Sequence, residues 1–162
     1  MTAKTQRSKG RFFFASLRLR GRIKDLLRKP VSEAAHLKSG RWGEQQAARL
    51  LKSKGWKIVG ERVRVGKHDE IDIIAEDAPA LVFVEVKTRK NETYGRPFSA
   101  VNTEKKKRLS RAAVAYLKKK KIKPDYIRFD VVEVIGEPDG DAPEIRHIEN
   151  AFQLNSSYKL WW

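Results

Sequence analysis

The sequence predicts a mixed α/β domain, a sheet packed against helices in the order αβββαβ(β). Three observations carry that expectation. Apolar residues recur at helical spacing in two stretches, β-branched residues gather in four or five short runs, and Gly, Pro and Asp clusters separate them. The first helix is expected from Gly40 to Lys54, with Trp42, Ala47, Leu50 and Leu51 inward and Gly55 as its stop. Trp56 to Val65, Glu70 to Glu76 and Leu81 to Lys87 read as strands, the last two joined as a hairpin across Asp77-Ala78-Pro79-Ala80. Thr103 to Lys121 reads as the second helix, with Leu109, Ala112, Ala113, Tyr116 and Leu117 inward. Tyr126 to Ile135 returns to strand, and Ile145 to Phe152 is a weaker last one.

A chain of 162 residues suits one domain with tails. The domain is placed at residues 39–153, after a basic arm at 1–38 and before an aromatic tail at 154–162. Lys and Arg number 36 against 20 Asp and Glu, a net charge of +16 that favours phosphate-rich partners. The arm carries +9 of this excess. Its Phe12, Phe13, Phe14, Leu17, Ile23, Leu26 and Leu27 fit a basic amphipathic helix over 11–28 ending near Pro30, for nucleic acid or a membrane surface; a partly disordered solvated tail fits equally. Absence of cysteine excludes disulfides and thiolate metal sites, so any metal must sit on oxygen or imidazole. No apolar run approaches the roughly 18 residues of a membrane span, and no secretory signal is visible. The expected location is the cytoplasm.

The hairpin turn sets a register in which Asp72 faces Glu85 and Glu70 faces Lys87 on one side of the ribbon. Ile71, Ile73 and Ala75 then meet Val82, Val84 and Val86 on the other. Two facing carboxylates repel unless a cation or proton lies between them. Mg²⁺ or Mn²⁺ suits such a gap, because Mg²⁺ takes one or two protein carboxylates and leaves sites for water and phosphate. The Val86 carbonyl, between the two strand positions, is a natural third ligand, and Lys87 would stand beside the phosphate. Glu44, on the preceding helix, offers a further carboxylate. The competing explanation is a solvent-facing ladder of mixed charges.

His36, His68 and His147 have no ligand spacing, and neither a Gly-x-Ser-x-Gly elbow nor a Walker loop is present. Arg89, Lys90, Arg96, Lys105, Lys106 and Arg108 gather before and at the start of the second helix as a phosphate grip. Tyr94 and Phe98 are candidates for stacking on unpaired bases or for inward packing.

Gly43-Glu44, Asp69-Glu-Ile-Asp-Ile-Ile-Ala-Glu-Asp77, Val82-Phe-Val-Glu-Val-Lys-Thr-Arg89, Gly95-Arg-Pro-Phe-Ser-Ala-Val101 and Lys105-Lys-Lys-Arg108 resemble the YraN family over about residues 40–135. That resemblance implies a restriction-endonuclease-like core of the PD-(D/E)XK type, distantly similar to archaeal Holliday-junction resolvases. It implies metal ligation by Asp72 and Glu85, a catalytic Lys87 and a supporting Glu44. The family's usual glycine before Glu-Ile-Asp is replaced by Asp69, which adds an acid near the site. The expected activity is a Mg²⁺-dependent endodeoxyribonuclease acting on structured or damaged DNA, with a homodimer compatible with the resolvase likeness. The alternatives are a non-catalytic nucleic-acid-binding module and an arm that tethers the chain to a membrane or protein.

Overall fold

The first helix opens earlier than its apolar pattern indicates. In the computed structural model, which describes residues 33–93 and 95–162, α1 spans Glu33–Ser53. Ala34, Ala35 and Leu37 are strong helix formers that carry the helix back past Gly40, leaving that glycine inside it. The expectations for residues 11–28, Pro30 and Tyr94 lie outside the described residues.

Five strands follow: β1 (Lys57–Val65), β2 (Asp69–Asp77), β3 (Ala80–Arg89), β4 (Tyr126–Ile135) and β5 (Glu144–Phe152). A 3₁₀ turn, Pro97–Ala100, and helix α2, Thr103–Lys120, lie between β3 and β4. The sheet order is β1-β2-β3-β4-β5. β3 and β4 are parallel across the α2 crossover, and the other neighbours are antiparallel. This is a restriction-endonuclease-like mixed sheet, and β5 is a full nine-residue strand. Side chains of Asn102 and backbone of Lys121 close the ends of α2: Asn102 accepts from Lys105 N, and Lys121 turns left-handed at φ 58.

Both sheet faces are covered, so the half-exposed ladder does not apply. On one face Ile74, Leu81, Phe83 and Phe129 pack with Leu109, Ala113 and Leu117 of α2. On the other, Ile73, Val82, Val84 and Val132 pack with Ala47 and Leu51 of α1. β3 is buried without a break from Leu81 to Val86, as a central strand must be. Anything polar on it therefore needs a reason.

The hairpin closes through Ala78-Pro79, with Asp77 paired to Ala80, and the expected register runs to Ile73 opposite Val84. There the β2–β3 ladder ends. The Asp72 carboxylate takes the Val86 N–H at 2.8 Å, and on the β1 side Arg62 has φ 49 in a ladder that skips it. Two expectations fail at this break. Glu70 does not pair with Lys87 but with Arg62 and Arg64, and Ile71 joins Ile74 and Phe83 on the α2 face instead of joining Ile73. Strict alternation assumed a regular strand, and β2 is not regular at Asp72.

α1 lies close on β3 because Gly43 has no side chain. A Cβ there would sit 1.8 Å from Thr88 Oγ1. That close approach brings Glu44, the next residue, over the end of the sheet.

Candidate metal and nucleic-acid site

Where β2 and β3 part, a cavity of about 380 Å³ opens, lined by Glu44, Asp72, Glu85, Val86, Lys87 and Lys105 among others. Neighbouring elements supply them: α1 brings Glu44, the irregular end of β2 brings Asp72, and β3 brings Glu85, Val86 and Lys87. Lys105 comes from the first turn of α2, which the Asn102 cap orients.

Glu85 is only 1% exposed. Its Oε1 receives Lys87 Nζ at 2.6 Å and Lys105 Nζ at 2.9 Å. Its Oε2 is buried and has no hydrogen-bond partner, the one such side-chain atom among the described residues. Leaving a buried acceptor unpaired costs on the order of 1–3 kcal/mol, so a protein seldom does so without use for it. Beside it, burial first and then the charge of Glu85 push the Asp72 carboxyl up to about 7, against the Val86 hydrogen bond and Lys105. Burial also raises Glu44, though Arg62, 3.2 Å away, opposes this. The site thus holds more negative charge than its environment readily carries.

The residues present fit a hard cation. Among the described residues no three His, Cys, Asp or Glu side chains gather as a ready-made cage. Mg²⁺ does not need one, since it characteristically binds one or two carboxylates and fills its remaining positions with water and substrate phosphate. The unpartnered Glu85 Oε2 and the proton-prone Asp72 are the donors such an ion would use.

The basic residues sort into two groups. Arg89 and Lys105 line the cavity. Arg96, by contrast, binds the buried Glu133 at 2.7 Å, and Lys106 lies over the rings of Phe98 and Phe152 at 5.9 and 5.7 Å. Arg108 reaches Asp69 and the His68 carbonyl, while Arg111 clasps Asp69 through two 2.8 Å bonds. Asp69 is therefore held by arginines outside the cavity. Phe98 is half-buried, and its N–H donates to Glu133.

Sequence reasoning missed His36, Ser39, Gly40, Thr88 and Ala100 as cavity-lining residues. The first three share the helical spacing of Glu44, but two of them precede Gly40, where the apolar pattern begins the helix. It also missed Glu133 as a buried structural acid outside the cavity, because its partners Arg96 and the Phe98 N–H lie far away in sequence.

A family model described as "Uncharacterised protein family UPF0102" matches residues 43–134, from the Gly43 contact to the penultimate residue of β4. The chain belongs to the UPF0102 family. A UPF0102 protein of Symbiobacterium thermophilum is 48% identical over 113 residues, covering 70% of this chain and 94% of the relative. One from Geotalea daltonii is 45% identical over 115 residues, 71% and 89% of the two chains. One from Geobacter sulfurreducens is 42% identical over 128 residues, 77% and 98%. UPF0102 is the YraN family that the motifs resemble, so that reading of the sequence holds. Among the described residues of this UPF0102 chain no helix is long and apolar enough to cross a membrane.

Proposed function

We propose that this UPF0102 protein is a Mg²⁺- or Mn²⁺-dependent endonuclease that hydrolyses phosphodiester bonds in structured or damaged DNA. The observation that carries the reading is Glu85 Oε2, a buried and unpartnered carboxylate oxygen in a cavity that also holds Asp72 and two lysines. Asp72, Glu85 and the Val86 carbonyl would hold the cation. When bound it supplies charge neutralisation and activation of water.

The protein's own groups have separable tasks. Lys87 and Lys105 hold Glu85 in place through one oxygen, which leaves the other free for a cation. Their remaining N–H donors can meet the non-bridging phosphate oxygens, where negative charge grows as water adds to phosphorus and the bond to the departing sugar oxygen breaks. Glu44 is placed to orient water from the α1 side, with Arg62 fixing its carboxylate. Arg89 at the cavity rim would hold a neighbouring phosphate.

The test is cleavage of branched, flapped, single-stranded and duplex DNA with Mg²⁺ or Mn²⁺. Lys87→Ala should lose about 10²–10³-fold in rate with binding retained. Binding without cleavage in every metal and substrate would replace the enzyme by a non-catalytic nucleic-acid-binding module.

A further inference from the structure

α1 contributes more than Glu44 to the cavity. His36, Ser39 and Gly40 line it as well, and with Glu44 they are spaced three or four residues apart in one stripe along the helix. A glycine inside a 21-residue helix weakens it relative to alanine, so each such glycine calls for a physical reason. At Gly43 the reason is packing against Thr88. At Gly40 packing gives none, since a Cβ there would meet nothing within 4 Å. The empty space beside Gly40 is the cavity itself.

A helix with no side chain at that point presents bare backbone to whatever enters, and this is how glycine lets another backbone come close. Lys87, Arg89 and Lys105 line the same cavity, so an entering polyanion meets both the bare turn and these cations. From His36 to Glu44 is eight residues, about 12 Å of helix. That is the reach of several nucleotide steps at roughly 3.4 Å each along a duplex. One phosphate needs no stripe of this length.

We infer that His36, Ser39 and Gly40 form the seat for the sugar-phosphate next to the cut bond. Gly40 gives clearance, while the Ser39 hydroxyl and the His36 imidazole donate to non-bridging oxygens of that neighbouring phosphate. The ligand is a continuous polynucleotide strand, not a mononucleotide. This seat rests on the nuclease reading for the identity of what enters the cavity, and its test separates the two.

Binding is measured by anisotropy of labelled flap DNA in EDTA, where no cleavage occurs, with thermal melting alongside. Gly40→Leu fills the clearance with a good helix former, so it should melt at or above the parent temperature while its Kd rises at least tenfold. His36→Ala combined with Ser39→Ala should also weaken binding about tenfold, and both changes favour helix. Unchanged binding by Gly40→Leu overturns the seat. Should Gly40→Leu melt early, the His36/Ser39 double variant decides, and parental affinity in it overturns the seat too. If the parent cuts DNA and Lys87→Ala does not, yet the α1 variants bind normally, the seat falls and the nuclease stands. If the parent neither binds nor cuts any nucleic acid, both fall.

Discussion

Glu85 on β3 and Asp130 on β4 are 1% and 0% exposed, and they belong to the same parallel strand pair. Their neighbours treat them in opposite ways. Asp130 accepts from Arg128 Nε at 3.0 Å, His147 Nε2 at 2.8 Å and the Asn150 N–H at 2.9 Å. An ammonium only donates, so Lys54, 2.8 Å from His147 Nδ1, requires that nitrogen to accept and leaves Nε2–H for Asp130. Burial alone would raise Asp130, but these hydrogen bonds outweigh it and hold the carboxyl below its usual value. Glu133, also 0% exposed, is likewise paired on both oxygens, by Arg96 and the Phe98 N–H. Glu85 receives two ammonium groups on one oxygen and nothing on the other. A buried carboxylate that holds the fold has both oxygens satisfied inside it; one kept half-satisfied has room for a ligand.

The largest effects should come from exchanging the fates of the two acids. Glu85→Gln keeps an oxygen for the lysines but loses the anionic ligand. Cleavage should drop at least about 10²–10³-fold, with a smaller change in melting than Asp130→Ala gives, because the amide oxygen still accepts from both lysines and the repulsion of Asp72 is relieved. Asp130→Ala leaves Arg128 and His147 facing an empty acceptor and should cost about 3–5 kcal/mol, as loss of one member of a buried ion pair does. Its folded fraction should still cut at the parental rate. The comparison breaks if Asp130→Ala melts normally and loses cleavage.

Acidity should separate the regions next. With no metal, the Asp72 carboxyl is pushed up to about 7 from its ordinary value of 3.8, first by burial and then by Glu85. Between those values the folded state holds a proton that the unfolded chain has released. Stability of the metal-free protein should therefore fall as pH rises from about 4 to about 7, by up to about 4 kcal/mol, and then level off. Asp130 works with the opposite sign: its stabilisation is present above its unfolded value and is lost only as pH falls through the depressed folded one. Denaturant titrations in EDTA from pH 5 to 8 should show the first slope in the parent and its loss in Asp72→Asn. Because cation and proton compete for Asp72, the thermal shift given by Mn²⁺ should grow from pH 6 to 8.

The sequence made much of this legible, and the reasons are local. Strands β3 and β4 announce themselves as apolar runs, the Ala78-Pro79 turn sets a register that holds through Ile73 and Val84, and Asp72, Glu85 and Lys87 all reach one cavity. What stayed hidden depends on contacts distant in sequence or on departures from regular geometry. The break at Asp72 is seen only once Arg62 is known to turn to φ 49. The place of Lys105 at a helix start marks it as a phosphate contact, but its 2.9 Å bond to Glu85 depends on how α2 crosses the sheet. His147 looked isolated because its partners, Asp130 and Lys54, lie 17 and 93 residues away.

α1 links the two regions, and this allows a smaller, sharper test. Its middle carries Glu44 to the cavity, while Lys54, just past its end, binds His147. Gly43→Ala would place a Cβ 1.8 Å from Thr88 Oγ1 and push the helix off β3 near Glu44. The cost should be about 1–2 kcal/mol, the low side of overpacking, because the half-buried Thr88 can turn partly aside. Cleavage should fall about tenfold through displaced Glu44, at an order of magnitude typical of misplaced catalytic groups. The His147 ring resonances should stay at their parental shifts, since the Lys54 end is anchored by Leu51 in the core. Thr88→Ala added to Gly43→Ala removes the clashing oxygen and should restore part of both melting and cleavage. If the single variant shifts His147 as well as slowing cleavage, α1 moves as one rigid rod and its two ends are not independent.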